Sequence, residues 1–252
     1  MKISKTKIGV FSSLSSKKMR LKHGLFLAEG AKCALDTIGT FELVGFLATA
    51  EWLSAYRGEL PIEEAKIMEC SESDLRKISS LSSAPDVIAV FRLPQDRNPD
   101  TVTLDADTLY LMIDGVQDPG NLGTIIRTAD WFGFKNVICS LDTVDVFNPK
   151  TVQATMGSLR RVKVIYTDLV KAIRNNGIKH VYGTLLDGKD IYSASLGSSG
   201  VIVMGNEGNG LSSGIRELIT DPLLIPPYDP CSCPESLNVA IASAVVMAQF
   251  RK

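Results

Sequence analysis

The sequence predicts an α/β protein in two parts: a larger C-terminal domain built on a parallel sheet and a smaller N-terminal α/β domain. Three observations carry this reading. Short apolar runs alternate with helix-like stretches along nearly the whole chain, the pattern of repeated strand and helix units. The apolar runs lack strict polar alternation, as expected of parallel strands covered on both faces. Between the two parts, PQDRNPDTVTLDAD at 94–107 turns polar, with two prolines and four aspartates, and reads as a linker.

The N-terminal domain, residues 1–97, carries strand-like runs at LFLAEG (25–30), ELVGFLA (42–48), KIMEC (66–70) and DVIAVFRL (86–93). Helix-like stretches occupy 30–39, 50–57 and 71–80. Residues 1–32 hold eight Lys or Arg against one acid, Glu29, a net +7 that the remaining chain cancels to −1. Such a basic arm or first helix follows a phosphate backbone or forms a solvated helix face, and charge alone admits both. The linker takes 98–107. Beyond it, in 108–252, strands are expected at 108–114, 135–140, 162–167, 179–186, 200–205 and 222–226. Helices are expected at 120–132, near 149–156, and at 168–176, 212–219 and 236–250.

No apolar run approaches the roughly 20 residues of a membrane-spanning helix, so a soluble protein is expected. The basic, Ser-rich start lacks the apolar core and cleavage site of a secretory signal, which points to the cytoplasm. The five cysteines, Cys33, Cys70, Cys139, Cys231 and Cys233, are scattered and include no CxxC pair, as reduced thiols in a reducing compartment would be. Cys231 and Cys233 form a CxC, but His23 and His180 sit at no ligand spacing, so no metal is expected.

Three stretches carry candidate chemistry. In DGVQDPGNLGTIIRTADWFG (114–133), Asp118 and Pro119 suit a helix start. Leu122, Ile125, Ala129 and Phe132 then form the buried stripe. Arg127 lies about 140° around from Leu122, near Gly123, Thr124 and Trp131, facing solvent or a cleft. In GVIVMGNEGNGLSS (200–213) a strand runs into a loop with Gly205, Gly208 and Gly210 and then a serine-capped helix. That arrangement suits close backbone approach to a ligand or a plain tight turn. It has neither the P-loop ending nor the dinucleotide spacing, which argues against a nucleotide-dependent oxidoreductase. In LLIPPYDPCSCPESLNVAIASAVVMAQF (223–250), a long loop leads to a helix with no polar face, which must be enclosed. Ser236 and Asn238 at its mouth cap the helix or reach into a site.

Taken in order, NLGTIIRTA, GNEGNGL, and IP followed by SLNVAIA resemble the three signature motifs of the SpoU/TrmH family of RNA ribose 2'-O-methyltransferases. NPKTVQATMGSLRRVKV (148–164) is similar to the stretch between the first two, so the likeness covers 108–250. KKMRLKHGLFLAEG resembles, more loosely, the substrate-binding domain that many members carry. The resemblance implies a knotted α/β catalytic domain, S-adenosylmethionine as cofactor, and a homodimer whose interface takes part of the helix at 236–250. It assigns Asn121, Arg127, Glu207, Ser236 and Asn238 to the catalytic site. Thr184, Leu185, Gly205, Asn206, Gly210, Ile225 and Leu237 fall to the cofactor pocket. Lys17, Lys18, Arg20, Lys22, Arg160 and Arg161, with Lys163 beside the last two, are the candidates for RNA phosphates. One departure stands out: members usually read Ile-Pro-Met and a short glycine-containing loop, where this chain has Ile-Pro-Pro and YDPCSCPE (228–235).

The implied activity is methylation of a ribose in structured RNA, 23S ribosomal RNA first and transfer RNA second. A non-catalytic RNA- or ribosome-binding member of the fold is the rival. Methyl transfer to a hydroxyl depends on in-line placement at about 3 to 3.5 Å and on easing the departure of the hydroxyl proton. A fixed cation such as Arg127 stabilises the oxygen.

Overall fold

The computed structural model describes residues 2–94, 102–229, 231 and 234–252. It contains two compact units. The first takes the described residues up to 94 together with Asp145–Arg160. Its elements are α1 (Lys5–Ser13), α2 (Lys17–His23), β1 (Leu25–Glu29), α3 (Ala31–Thr37), β2 (Leu43–Ala48), α4 (Ala50–Tyr56), β3 (Ile67–Glu69), α5 (Glu72–Ile78) and β4 (Val87–Arg92).

The first unit's sheet has the order β1-β4-β2-β3. β4 runs antiparallel to both β1 and β2, and β3 is parallel to β2. Polar residues start its helices where the chain supplies them: Ser4, Thr49 and Ser71 each accept a backbone N–H of the first turn, satisfying donors that a helix leaves orphaned. One side of the sheet packs Phe11, Leu14, Leu27, Leu47, Met68, Leu75 and Ile88 into a core. Elsewhere in the unit Phe26 meets Phe41, Phe91 and Phe147 with ring centroids 5.1, 5.5 and 4.6 Å apart. Phe147 and the following helix Pro149–Thr155 therefore belong to this unit, although they lie beyond the linker expected at 98–107. Residues 98–101 of that linker fall outside the described residues.

The second unit takes 102–144 and 161–252. After β5 (Leu109–Ile113), α6 (Pro119–Trp131) and β6 (Asn136–Cys139), the chain contributes the helix Pro149–Thr155, α7, to the first unit. It continues with β7 (Lys163–Tyr166), α8 (Leu169–Asn175), β8 (Val181–Asp190), β9 (Gly200–Met204), α9 (Ser213–Arg216), β10 (Asp221–Leu224) and α10 (Val239–Phe250). The six strands form one sheet in the order β10-β8-β9-β5-β6-β7, and every neighbouring pair is parallel. The central strands β5 and β9 are buried along their whole length, which explains why their sequences show no alternation.

The elements differ from the sequence expectation in three informative places. β8 runs on to Asp190 because it pairs twice with β10: Gly183 sits opposite Pro222 and Lys189 opposite Leu223, so residues 184–188 bulge out where the partner strand adds nothing. α9 is a single turn, Ser213–Arg216, in place of the longer helix at 212–219, and the Ser212 side chain makes no capping bond. α10 begins at Val239, with Asn238 as its cap and Ser236 and Leu237 ahead of it. This helix packs against α6, and within the single chain Ile241 on its other side is 55% exposed. Among the described residues, no helix is long and apolar enough to cross a membrane.

Arg20 requires a correction of its own. Its charge and its place among lysines pointed to RNA, but the side chain is only 2% exposed. Nη2 and Nε bond Asp145 Oδ2 at 2.7 and 3.1 Å, and Nη1 bonds the carbonyls of Leu14 and Ser15 at 2.9 and 2.8 Å. A guanidinium spent in this way pins the start of the 145–160 segment and is not available to phosphate. Replacing it leaves a carboxylate that is only 11% exposed without its cation. Arg20→Ala should therefore lower the unfolding free energy by about 3 kcal/mol or more, measured by urea denaturation, whereas Lys17→Ala on the exposed side of α2 should change it by less than about 0.5 kcal/mol.

Candidate functional site

Loops that follow neighbouring strands of a parallel sheet emerge on one edge, where open α/β sheets bind their ligands. β10, β8, β9 and β5 are consecutive neighbours. The described parts of the stretch after β10, 225–229 and 234–238, and the stretches 184–188, 205–212 and 114–118 are thus brought to the same edge.

The loop after β5 turns on Gly115, whose φ of 74° suits a residue without Cβ. Its N–H faces Ser140 Oγ at 2.9 Å and Thr143 Oγ1 at 3.2 Å. Its carbonyl accepts from Asn206 Nδ2 at 2.7 Å and from Gln117 Nε2 at 3.1 Å. Asp118 then accepts the Asn121 N–H at 2.7 Å and caps α6, with Pro119 in the first helical position.

The loop after β9 is closed at its neck. Asn206 and Gly210 exchange backbone hydrogen bonds of 2.8 and 3.0 Å. A Cβ on Gly205 would come within 2.5 Å of the Gly210 backbone, so this approach requires glycine. Asn206 Oδ1 accepts the amides of Gly208 and Asn209 at 2.8 and 3.0 Å, and Ser212 N–H reaches the buried Asp114 Oδ2 at 2.7 Å.

The three loops meet at Asn121. Its Nδ2 donates to Glu207 Oε1 at 2.8 Å, and its Oδ1 accepts from Asn238 Nδ2 at 3.0 Å. Asn238 Oδ1 meanwhile caps α10, accepting the amides of Ala240 and Ile241 at 2.9 and 3.3 Å. Three residues named from separate stretches of sequence, Asn121, Glu207 and Asn238, therefore form one hydrogen-bonded bridge.

The other candidates are placed as follows. Arg127 is exposed on α6, on the side of Thr124 and Trp131, and has no hydrogen-bond or ion-pair partner among the described residues; Gly123, expected on that side, is buried. Six residues along the helix from Asn121, it stands about 9 Å further up the axis. Ser236 is exposed, as is Leu237, while Thr184, Leu185 and Ile225 are half-buried. Leu185 packs against the unit's core. Lys17, Lys18, Lys22, Arg160 and Lys163 are exposed. Arg161 is exposed but paired with Asp130 at 2.7 Å.

The sequence reading passed over the residues that support the bridge from beneath: Asp114, Gln117, Ser140 and Thr143. The available signal was the Asp-Gly step directly after an apolar strand, where a polar side chain must turn back toward backbone groups. Among the described residues no group of three or more His, Cys, Asp or Glu gathers as metal ligands. Cys233, one half of the CxC, lies outside the described residues.

These features define a parallel α/β domain in which three loops meet at one edge of the sheet. The profile of the SpoU rRNA Methylase family matches residues 108–248, and that of the MRM3-like substrate binding domain matches residues 5–89. The chain belongs to the SpoU rRNA methylase family. It is 31% identical to the 23S rRNA (guanosine(2553)-2'-O)-methyltransferase of Bacillus subtilis, covering 97% of this chain and 96% of that protein. It is 32% identical to rRNA methyltransferase 3A, mitochondrial, of Danio rerio, of which it spans 41%. Among solved structures, a TrmH-family protein of Porphyromonas gingivalis matches with a TM-score of 0.85 at 38% identity, over 100% of this chain and 99% of that one. The AdoMet-bound rRNA methyltransferase of Sinorhizobium meliloti matches with a TM-score of 0.81 at 27% identity, over 100% and 97%.

The cysteines separate by environment. Burial, reinforced by Asp36, pushes the Cys33 thiol up to about 11. Burial, with Asp74 next in weight, pushes Cys70 to about 12. Cys139, wholly enclosed, is raised further for the same reason. Cys231 is exposed. Because the thiolate is the reactive form, brief iodoacetamide treatment at pH 8 should label Cys231 and spare Cys33, Cys70 and Cys139 until denaturant is added, as peptide mass mapping would record.

Proposed function

We propose that this chain transfers a methyl group from S-adenosylmethionine to the 2'-hydroxyl of a ribose in 23S ribosomal RNA, acting as a homodimer in the cytoplasm. The observation that carries this reading is the bridge from Asn238 through Asn121 to Glu207, which joins the three family-like motifs at one edge of the sheet. The names of the relatives support ribosomal over transfer RNA.

The residues at that edge fit the cofactor. A Cβ at Gly210 would meet nothing within 4 Å, so the loop offers bare backbone to a nucleoside. Gly205 and Asn206 fix the neck behind it. Thr184, Leu185, Ile225 and Leu237 supply a largely apolar lining of the kind small-molecule sites use. When bound, S-adenosylmethionine supplies a methyl carbon made electrophilic by a sulfonium.

The chain's own task is to aim the hydroxyl and to stabilise its oxygen while the O–C bond forms, the C–S bond breaks and the proton leaves. Arg127 is the cation for this task. A guanidinium does not give up its proton in proteins, so Arg127 acts by stabilising charge on the oxygen, or on a phosphate that takes the proton. Asn121 orients the ribose side of the site, Glu207 anchors the substrate-side loop, and Ser236 and Asn238 border the ribose. Exposed Lys17, Lys18, Lys22, Arg160 and Arg161 grip phosphates.

In this reading residues 1–97 form the substrate-binding part and 108–252 the catalytic part. The threaded, knotted course is the one that family membership implies for the catalytic part. The side of α10 that carries exposed Ile241 and half-exposed Val245 and Ala248 supports pairing of two copies, because uncovered apolar surface on a helix favours association.

Two experiments test the proposal. Arg127→Ala should abolish methyl transfer to 23S rRNA, a loss of about 100-fold or more, while calorimetry shows S-adenosylmethionine affinity within about threefold of the unaltered protein; near-normal turnover would remove the role. Ile241→Glu should shift the protein from dimer to monomer in analytical ultracentrifugation, since a buried unpaired charge opposes the interface. A chain that is monomeric before substitution would defeat the dimer.

A further inference from the structure

We infer that Asp114 is a positioning residue for the cofactor loop, holding both of its ends. β5 and β9 run in register up to Ile113 and Met204. At that point the Asp114 N–H extends the pairing by one bond, to the Met204 carbonyl at 2.9 Å. The chain then leaves the sheet as the loop 205–211 and returns at Ser212, whose N–H is taken by the Asp114 carboxylate at 2.7 Å. The backbone of one residue fixes the departure of the loop, and its side chain fixes the return.

Ser212 precedes the single turn α9, and its amide, at the return point, is satisfied by a side chain 98 positions away in sequence. Asp114 is only 6% exposed. A buried carboxylate bond to an amide is charge-assisted, shorter and stronger than its neutral counterpart. Within the loop, the neck at Asn206 and Gly210 sets local shape but does not tie it to β5 on the return side. Asn206 Nδ2 reaches the Gly115 carbonyl, next to Asp114, on the departure side. Leu211 and Ile215 pack into the core on either side of the return point, but the carboxylate is the polar tie that fixes its backbone to β5; without it ligand binding must supply part of the ordering that the folded chain now provides.

The consequence falls on binding more than on chemistry. Among the described residues Asp114 makes no hydrogen bond to Asn121, Glu207, Asn238 or Arg127; its bonds run to Met204 and Ser212. Loss of the clamp should therefore weaken capture of the methyl donor while leaving turnover at saturation close to normal. Asparagine retains a carbonyl oxygen that accepts the same N–H, so it restores much of the effect, whereas alanine cannot.

This inference rests on the reading of 205–211 as part of the S-adenosylmethionine pocket, and the test separates the two. S-adenosylmethionine binding by calorimetry, and steady-state transfer to 23S rRNA, are measured for the unaltered protein, Asp114→Ala, Asp114→Asn, and Val164→Ala. The last lies on edge strand β7, two strands from β5, and reports general loss of stability. Asp114→Ala should weaken binding and raise the KM for S-adenosylmethionine by about tenfold or more, with kcat within about threefold. Asp114→Asn should recover to within about threefold, and Val164→Ala should leave KM unchanged at a comparable fall in Tm. Equal affinity in Asp114→Ala and the unaltered protein would overturn the inference and leave the pocket in place. An unaltered protein that does not bind S-adenosylmethionine would overturn the pocket itself. If Asp114→Ala fails to fold, Asp114→Asn decides: a KM for S-adenosylmethionine raised by about two- to threefold with kcat unchanged supports the inference, and an unchanged KM, with or without a fall in kcat, overturns it.

Discussion

Everything at the ligand edge depends on one side-chain amide that gives and receives at once. Asn121 donates to a carboxylate on one loop and accepts from an amide on another. Few side chains carry a donor and an acceptor on a short planar group. An aspartate in its place would set two carboxylates against each other, and a leucine would leave both partners unsatisfied. The amide is delivered to that spot by α6, whose first turn is fixed by Asp118 and Pro119, and by the parallel sheet that sends the loops after β5 and β9 in the same direction.

Beneath this bridge the Gly115 backbone has a comparable role on the main chain. Two hydroxyls meet its N–H and two side-chain amides meet its carbonyl, so both backbone polar groups of one residue are used to register β6, the first motif and the second. Such saturation of a residue with a positive φ leaves the loop little freedom, which suits an edge that must keep separated residues in one geometry. The site is rigid where it is bonded and open where it is not: Arg127, Ser236 and Leu237 stand exposed around a bonded frame.

Much of this was legible in the sequence. The strand and helix positions of both units follow from apolar runs and caps, because burial on two faces and the Asp-Pro and Asn starts act locally. Asn121, Glu207 and Asn238 were named from three distant motifs, and only the fold brings them within hydrogen-bond distance. What the sequence concealed is long-range. Arg20 looks like its lysine neighbours until Asp145, 125 positions later, arrives to claim it. Asp114 looks like a turn residue until Ser212 returns to it. The bulge at 184–188 shows only when β10 takes up pairing on either side of it. Local propensity contains none of these partners.

The division of the chain into units has a bearing on how it is made. Because Asp145 and Phe147 close the first unit onto Arg20 and Phe26, the part that begins the chain is not finished by the part that begins the chain. On the ribosome, where segments emerge in order and domains tend to fold as they appear, the leading residues must wait with an uncovered aromatic face until about 50 further residues have been synthesised past β4. Excising them at the linker would yield a fragment lacking its own keystone.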